Sequence, residues 1–203
     1  MIKFKIGIFI FDDVEVLDFA GPYEVFSSIK TQKNKLSKIS LFKSPVELFT
    51  VSEKNKLIIA AGGLKVQSDY TFFNTPKPNI LLIPGGIGTR KLLCNNNVLN
   101  WIMSHKEIDL LCSVCTGSLL LAKAGLLKNK KVTTHKGAFS LLKKISPSSI
   151  IHKKDRFVKD KYFTSAGVAA GIDMSFKIVE DFFGKVVSDN IAQYMEYKIR
   201  KDQ

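Results

Sequence analysis

The sequence predicts an α/β domain built on a mostly parallel sheet that is covered by helices on both faces. Short apolar runs recur along the chain, segments with apolar residues at helical spacing separate them, and glycine-containing turns end several of the runs. Such alternation is typical of parallel strands that are buried on both faces. The 203 residues, 45% of them hydrophobic, suit a single domain over residues 1–203.

Each element of the N-terminal half is predicted from the spacing of its apolar residues. The predicted strands are Lys3–Phe11, Ile39–Phe42, Glu47–Val51 and Asn79–Ile83, with a small hairpin over Leu57–Val66. A helix is predicted over Val14–Ser28, starting properly around Pro22 because proline fits the first helical turn. A second helix is predicted over Thr89–Ser104.

The C-terminal half continues the alternation. Its predicted strands are Asp109–Val114, Lys131–His135, a short one near Ile150, and Tyr162–Ser165. Its predicted helices are Thr116–Ala124 with Gly125 as its C-cap, one ending at Lys144, one with an apolar face from Ile172 to Phe183 that Gly184 closes, and Val186–Arg200.

The charge and the amino-acid composition indicate which classes of function are to be expected. The net charge is +13, but only three of the 31 basic residues are Arg, the residue that specific nucleic-acid binders favour, and the Lys residues are spread along the chain. We therefore expect a solvated surface and no specific nucleic-acid partner. No apolar run reaches the length of a membrane span, and three cysteines are an odd number for a disulfide framework, which favours a cytoplasmic protein.

The segment around Cys115 predicts a nucleophile elbow, a sharp turn that carries a reactive side chain between a strand and a helix. Small residues stand two positions on either side of the cysteine, namely Ser113 and Gly117, as such a turn requires. A helix start next to the sulfur would stabilise a thiolate. An ordinary buried cysteine is the alternative, and it fits Cys112 and Cys94 better.

A thiol nucleophile needs hydrogen-bond donors for developing charge. The turn Pro84–Gly88 ends a neighbouring predicted strand, so a backbone N–H from Gly86 and the Thr116 amide are candidates for an oxyanion hole, with Ile87 beside them. The turn is a weak motif by itself, because it lacks the signature of a phosphate loop or a dinucleotide fingerprint.

The chain resembles the ThiJ/PfpI superfamily in five successive blocks that cover nearly its whole length. The blocks are Phe11–Phe26, Leu82–Gly86, Ser113–Ser118, Lys131–His135 and Thr164–Asp173. The resemblance implies a flavodoxin-like three-layer sandwich, a cysteine at the carboxyl edge of the sheet, and a homodimer. The same segment also occurs in the N-terminal domains of AraC-type regulators; because residues 1–203 contain no helix-turn-helix, we do not expect a full regulator of that kind.

Within the superfamily, the combination of Asp18, Cys115 and Thr116 resembles the isonitrile hydratase branch. That resemblance implies Cys115 as nucleophile, Asp18 as proton donor and Thr116 as a supporting hydroxyl. The protease-like branch has His directly after its cysteine, where this chain has Thr116, so that triad is absent. Hydratase-like relatives usually have Trp after the His of the fourth block, where this chain has Lys136. We expect Lys136 to line the substrate entrance, so the resemblance leaves the identity of the substrate open.

The remaining candidates have both functional and structural interpretations. A carboxyl of Asp18 beside the thiol would share one proton with it and have a raised pKa, whereas alone it fits a helix cap or an exposed turn. His135 fits a pocket-lining or structural role better than a catalytic base. Ser165 is a candidate pocket residue, Glu24 fits the surface, and Asp173 fits a helix cap. The three His residues form no metal pattern.

The leading hypothesis is a cofactor-free, cysteine-dependent hydro-lyase that hydrates a small-molecule isocyanide to an N-substituted formamide through a thioimidate. A second hypothesis is other thiol chemistry of the superfamily, such as a glyoxalase or deglycase acting on reactive carbonyls. A third is a non-enzymatic redox sensor or chaperone, in which a low-pKa, exposed thiol is oxidised.

Overall fold

A computed structural model of the chain describes residues 3–29 and 45–200. The strand predicted at Ile39–Phe42 lies outside them. The strands are β1 (Phe4–Phe9), β2 (Val46–Ser52), β3 (Leu57–Ile59), β4 (Lys65–Gln67), β5 (Tyr70–Thr71), β6 (Ile80–Ile83), β7 (Leu110–Val114), β8 (Lys131–Val132), β9 (Ile150–Ile151), β10 (Phe157–Lys159) and β11 (Phe163–Ser165). The helices are α1 (Val16–Ser27), α2 (Thr89–Leu92), α3 (Asn96–Ser104), α4 (Gly117–Lys123), α5 (Phe139–Ile145), α6 (Ala170–Phe183) and α7 (Lys185–Tyr194).

The predicted mostly parallel α/β architecture is confirmed. Within the described ranges, the main sheet has seven strands in the order β10-β11-β7-β6-β1-β2-β5. All neighbouring pairs are parallel except β10 with β11. The helices flank the sheet in two groups, with α1 and α7 packed on α6, and α2, α3 and α5 packed on α4. Strands β1, β6 and β7 are buried at nearly every position, as expected for strands covered on both faces.

Several predicted boundaries were wrong, each for a local reason. Helix α1 begins at Val16, so Pro22 lies inside it and not at its start. The hydrogen bond from Glu15 N to Gly85 O fixes the residue directly before Val16, and the helix begins from there. The helix predicted over Thr89–Ser104 is divided into α2 and α3, because the Asn95 side chain caps α3 by accepting from Asn97 N and Val98 N. Asparagine is a favoured N-cap residue.

The strand predicted over Lys131–His135 is also shorter, because β8 covers only Lys131–Val132. Strand β8 pairs with β9 in a separate two-stranded sheet, so the strand beside β7 is β11. The final helix ends at Tyr194, since Glu196 has a positive φ of 49° and the following segment turns back onto α6. Strands β5 and β10, at the two edges of the main sheet, were not predicted.

The main sheet brings the ends of β1, β6, β7 and β11 to one edge. The chain leaves this edge through the loop before α1, the Pro84–Gly88 turn, the turn at Cys115, and the segment 166–169. Open parallel sheets place their ligand sites at the carboxyl ends of the strands. In the residues described here, no helix is long and apolar enough to cross a membrane.

Close packing at the start of α4 leads to the first prediction. A Cβ added at Gly117 would lie 2.0 Å from Ile83 O and 2.8 Å from Pro84 O, both of them backbone atoms that cannot move freely. We expect Gly117→Ala to lower the free energy of unfolding by about 3 kcal/mol, measured by urea denaturation.

Gly63→Ala is the matched control. Gly63 has a φ of 84° but nothing within 4 Å of its Cβ position, so only backbone strain of about 1 kcal/mol is expected. Equal losses in the two variants would contradict the close approach of α4 to the end of β6.

Candidate active site

Cys115 lies on the turn between β7 and α4, with a positive φ of 55°. Residues other than glycine rarely adopt this conformation, and it persists only where surrounding contacts hold it. The Cys115 N–H donates to Ser165 O and to Ala166 O, both at 3.1 Å. This is the strand-turn-helix geometry that the flanking small residues predicted.

Two hydroxyl groups hold the carbonyl oxygen of Cys115. Thr134 Oγ1 donates to it at 2.9 Å and Ser118 Oγ at 3.1 Å. Sequence reasoning missed both residues. Thr134 belongs to the Lys131–His135 block, but only the fold shows that this block supports the elbow.

Asp18 lies in the first turn of α1 and is fully buried. Its Oδ2 accepts a 2.9 Å hydrogen bond from Gly85 N, whereas its Oδ1 is buried and has no hydrogen-bond partner among the described residues. The carboxyl also interacts with the Cys115 thiol. The helix-cap interpretation of Asp18 is wrong, since the N-cap position belongs to Glu15.

The carboxyl and the thiol shift each other's ionisation. Burial raises the pKa of Asp18 to about 7, against lowering contributions from the Gly85 N–H and the Cys115 thiol, and the nearby Glu15 raises it further. Burial and the Asp18 charge raise the pKa of Cys115 to about 12. Two negative charges are disfavoured in this buried site, so near neutral pH the pair holds at least one proton.

The expectation of a low-pKa, exposed thiol is therefore wrong. Cys115 is only 6% exposed, and the stabilising N–H groups at the turn do not compensate for its burial. Cys112, which fits the ordinary buried cysteine, has its pKa raised by burial alone.

The Gly85–Gly86 turn is not an open oxyanion hole. Gly85 N donates to Asp18, and Gly86 N donates to Thr116 Oγ1 at 3.0 Å. The Thr116 hydroxyl also lies 3.2 Å from Gly86 O and 3.3 Å from Thr89 Oγ1. The side chain of Thr116 thus holds the turn, which corrects the prediction that Gly86 donates to a reacting group.

The backbone N–H groups that interact with the sulfur belong to Thr116 and Val168, and both lower the pKa of the Cys115 thiol. Thr116 was predicted as a donor and Val168 was missed. Val168 has a φ of 39°, a left-handed conformation that is strained for a β-branched side chain. No sequence signal marks a valine in this conformation.

The other predicted pocket residues surround this centre at different depths. Ser165 is fully buried at the end of β11, and its carbonyl oxygen accepts from Cys115 N. His135 is half-buried and its ring contacts Gly167, where a Cβ would lie 2.4 Å from His135 Cδ2. Ile87 is 64% exposed at the surface beyond the Gly86 turn. Their roles toward a substrate stay predictions.

Two carboxylates outside the centre have different environments. Glu24 is exposed, as expected. Asp173 is not a helix cap but is 1% exposed and bonded to the side chain of Arg156. In the part of the chain that the structure covers, no group of three His, Cys, Asp or Glu side chains is arranged to hold a metal ion.

A cysteine on a strained strand-to-helix turn, with a buried carboxyl beside it at the carboxyl edge of a parallel sheet, defines a class of α/β proteins with a potential thiol nucleophile. The sequence matches the DJ-1/PfpI family over residues 4–181. The chain belongs to this family.

The chain is similar to individual proteins that differ in function. It is 30% identical over 195 residues to an isonitrile hydratase of Pseudomonas putida, covering 95% of this chain and 78% of that protein. It is 25% identical over 200 residues to the HTH-type transcriptional regulator GbdR of Pseudomonas aeruginosa, covering 98% of this chain. The chain spans about half (52%) of that regulator's length.

A solved structure supports the same fold. The crystal structure of a ThiJ/PfpI family protein from Pseudomonas syringae superimposes with a TM-score of 0.85 at 25% identity, over 99% of this chain and 78% of that chain. The chain is thus similar both to an enzyme and to a transcriptional regulator. Its function therefore has to be argued from the residues of the site.

The raised pKa of Asp18 leads to a prediction about stability. Because the folded pKa lies above the unfolded value of 3.8, this group stabilises the fold fully below pH 3.8, and that contribution is lost as the pH rises through about 7. Asp18→Asn has no such loss. We expect the free energy of unfolding of the variant, relative to that of wild type, to increase by on the order of 2 kcal/mol from pH 5 to pH 8, measured by urea unfolding.

Glu24→Gln, on the exposed side of the same helix, is the control and should not change its stability relative to wild type between the two pH values. A pH-independent difference between Asp18→Asn and wild type would contradict a raised pKa at this site.

Proposed function

We propose that this protein hydrates an isocyanide to an N-substituted formamide, with Cys115 as nucleophile and Asp18 as proton donor. The observation that carries the proposal is the buried carboxyl of Asp18, with a pKa near 7, beside the Cys115 thiol. A group that accepts and donates a proton at neutral pH suits general acid–base chemistry. The similarity to the Pseudomonas putida isonitrile hydratase supports the choice of reaction.

In the first step the one proton of the singly ionised pair, which the raised pKa of the thiol places on the sulfur, moves to the Asp18 carboxylate. The sulfur of Cys115 attacks the terminal carbon of R–N≡C and forms the C–S bond, while the Asp18 carboxyl gives its proton to the same carbon. The product is the thioimidate R–N=CH–S–Cys115, and Asp18 is now a carboxylate. Atoms and charge balance, because the proton and the sulfur both come from the singly ionised pair.

The second step uses water. The Asp18 carboxylate accepts a proton from the attacking water as its oxygen adds to the thioimidate carbon, and it passes that proton to the nitrogen, which gives the adduct R–NH–CH(OH)–S–Cys115. As the C–S bond of the adduct breaks, Asp18 accepts the hydroxyl proton, R–NH–CHO is released, and the sulfur leaves as a thiolate, which restores the starting pair. The net reaction is R–NC plus H₂O to R–NHCHO, and it needs no cofactor.

The remaining residues have supporting roles in this proposal. The N–H groups of Thr116 and Val168 stabilise negative charge on the sulfur as it leaves, and the Thr116 hydroxyl keeps the Gly85–Gly86 turn in place so that Gly85 N can hold Asp18. Exposed Ile87 and half-buried His135 are proposed to face the substituent of the isocyanide. A redox sensor is less well supported, because the thiol is buried with a raised pKa.

A homodimer in the cytoplasm is part of the proposal. The β3–β4 hairpin exposes Leu57, Ile59 and Leu64, and it contacts the loop before α1 through Asp13 N to Ile59 O. An apolar patch of this kind suits a self-complementary interface. All three cysteines are free, which suits a reducing compartment. We do not propose DNA binding, since the basic surface is rich in Lys and poor in Arg.

Turnover of cyclohexyl isocyanide tests the reaction directly. We expect wild-type protein to produce N-cyclohexylformamide, detected by mass spectrometry, and Cys115→Ala and Asp18→Asn to lose at least about 10³-fold in rate, since nucleophile and acid act as one unit.

Cys94→Ser, which changes an exposed cysteine, is the matched control and should keep the wild-type rate. Equal turnover in all variants would refute the mechanism. Lactate from methylglyoxal, without any formamide from the isocyanide, would instead favour glyoxalase chemistry.

The pH dependence of kcat/KM gives a second test. The productive state carries one proton on the pair, so activity should rise as the pH increases through about 7, where Asp18 and Cys115 together lose their first proton. A rate that is highest in acid and falls through pH 7 would mean that the doubly protonated pair is the active form, contrary to the proposed first step.

A further inference from the structure

The segment 166–169 joins β11 to α6 and carries the Val168 N–H that interacts with the Cys115 sulfur. Val168 is strained, with a φ of 39°, so the segment does not take up this shape by itself. Contacts from elsewhere in the fold must hold it. The question is which residues supply them.

Arg156 contacts the start of this segment and the first turn of the helix that follows it. At the first end, Ala166 N donates to Arg156 O at 2.8 Å, while Ala166 O accepts from Cys115 N at 3.1 Å. At the other end, the Arg156 guanidinium binds Asp173 in the first turn of α6, with Nε 2.7 Å from Oδ2 and a second, shorter contact from the terminal nitrogen. One residue therefore links the start of the segment to the first turn of α6, the helix into which the segment leads.

Asp173 is in turn fixed by the C-terminal segment. Its Oδ1 accepts from Tyr197 Oη at 3.1 Å and from Arg200 N at 3.0 Å. The carboxylate is 1% exposed and both of its oxygens are occupied, so it has little freedom to move away from Arg156. These contacts also explain why the final helix stops at Tyr194 and the chain turns back.

We propose that Arg156 and Asp173 are positioning residues for the active thiol: together with Tyr197, they hold segment 166–169 so that the Val168 N–H faces the Cys115 sulfur. This inference rests on Cys115 being the reactive group, as the proposed function has it, but not on the identity of the substrate. The pair acts through Val168 and does not itself contact the reacting atoms.

The test uses two variants that weaken the network without removing it. Arg156→Lys keeps the charge but loses the two-point contact of the guanidinium, and Tyr197→Phe removes one hydrogen bond to Asp173. The readout is the rate at which iodoacetamide alkylates Cys115 at pH 8, followed on the Cys115 peptide by mass spectrometry so that exposed Cys94 does not contribute.

We expect alkylation to be about tenfold slower in Arg156→Lys, equivalent to a rise of about one unit in the pKa of the thiol, and slowed less in Tyr197→Phe. The kcat for isocyanide should fall in the same order, with a smaller change in KM. If Arg156→Lys does not fold, Tyr197→Phe alone decides.

Asp181→Asn is the matched control. It breaks the ion pair between Asp181 of α6 and Lys159 of β10, which lies between neighbouring elements but away from segment 166–169. Its alkylation rate should equal that of wild type.

Two results would overturn the inference. One is faster alkylation in Arg156→Lys and Tyr197→Phe, because simple loosening would expose the buried thiol. The other is an unchanged rate in both variants, or an equal slowing in Asp181→Asn. If wild-type protein fails to hydrate isocyanides, the proposed function is refuted but the alkylation test still stands.

Discussion

The site depends on one constraint: a carboxyl and a thiol are buried side by side, and burial disfavours more than one negative charge on the pair. Water would stabilise both ionised forms, but Asp18 is fully buried and Cys115 nearly so. Burial raises both pKa values, and the charge on Asp18 raises that of the thiol further. The result is a pair that loses its first proton near neutral pH and shares the second, which is useful for chemistry and costly for stability.

The fold supplies this constraint from distant parts of the chain. Asp18 comes from the first turn of α1, the Gly85 N–H that holds it comes from the end of β6, and Cys115 comes from the end of β7. Parallel pairing of neighbouring strands brings these ends together at one edge of the sheet. Around them, the hydroxyl groups of Thr116 and Thr134 form hydrogen bonds with backbone atoms of the two turns that carry the reactive pair.

Local sequence was sufficient for the parts of the site that depend on local geometry. Ser113 and Gly117 predicted the turn at Cys115, because a tight turn admits only small neighbours there. Apolar runs predicted β1, β6 and β7, since strands covered on both faces have no polar alternation. The cap at Asn95, which divides α2 from α3, was visible in the sequence and was overlooked.

What local sequence could not supply were features created by contacts between distant residues. Val168 has no signal for a positive φ, and the end of α7 is set by Tyr197 and Arg200 meeting Asp173. Strand β8 leaves the main sheet although its residues look like those of any other strand. The Gly86 N–H was assigned to the reaction, whereas Thr116 occupies it.

The most direct measurement of the shared proton is the infrared difference spectrum between wild type and Asp18→Asn, recorded across the neutral pH range. We expect a carbonyl band of a protonated carboxylic acid that belongs to Asp18, is present at pH 6 and fades as the pH passes about 7. Alkylation of Cys115 should shift this titration, because the thiol interacts with the carboxyl. A spectrum in which Asp18 is fully ionised at pH 6 and insensitive to Cys115 would contradict the account.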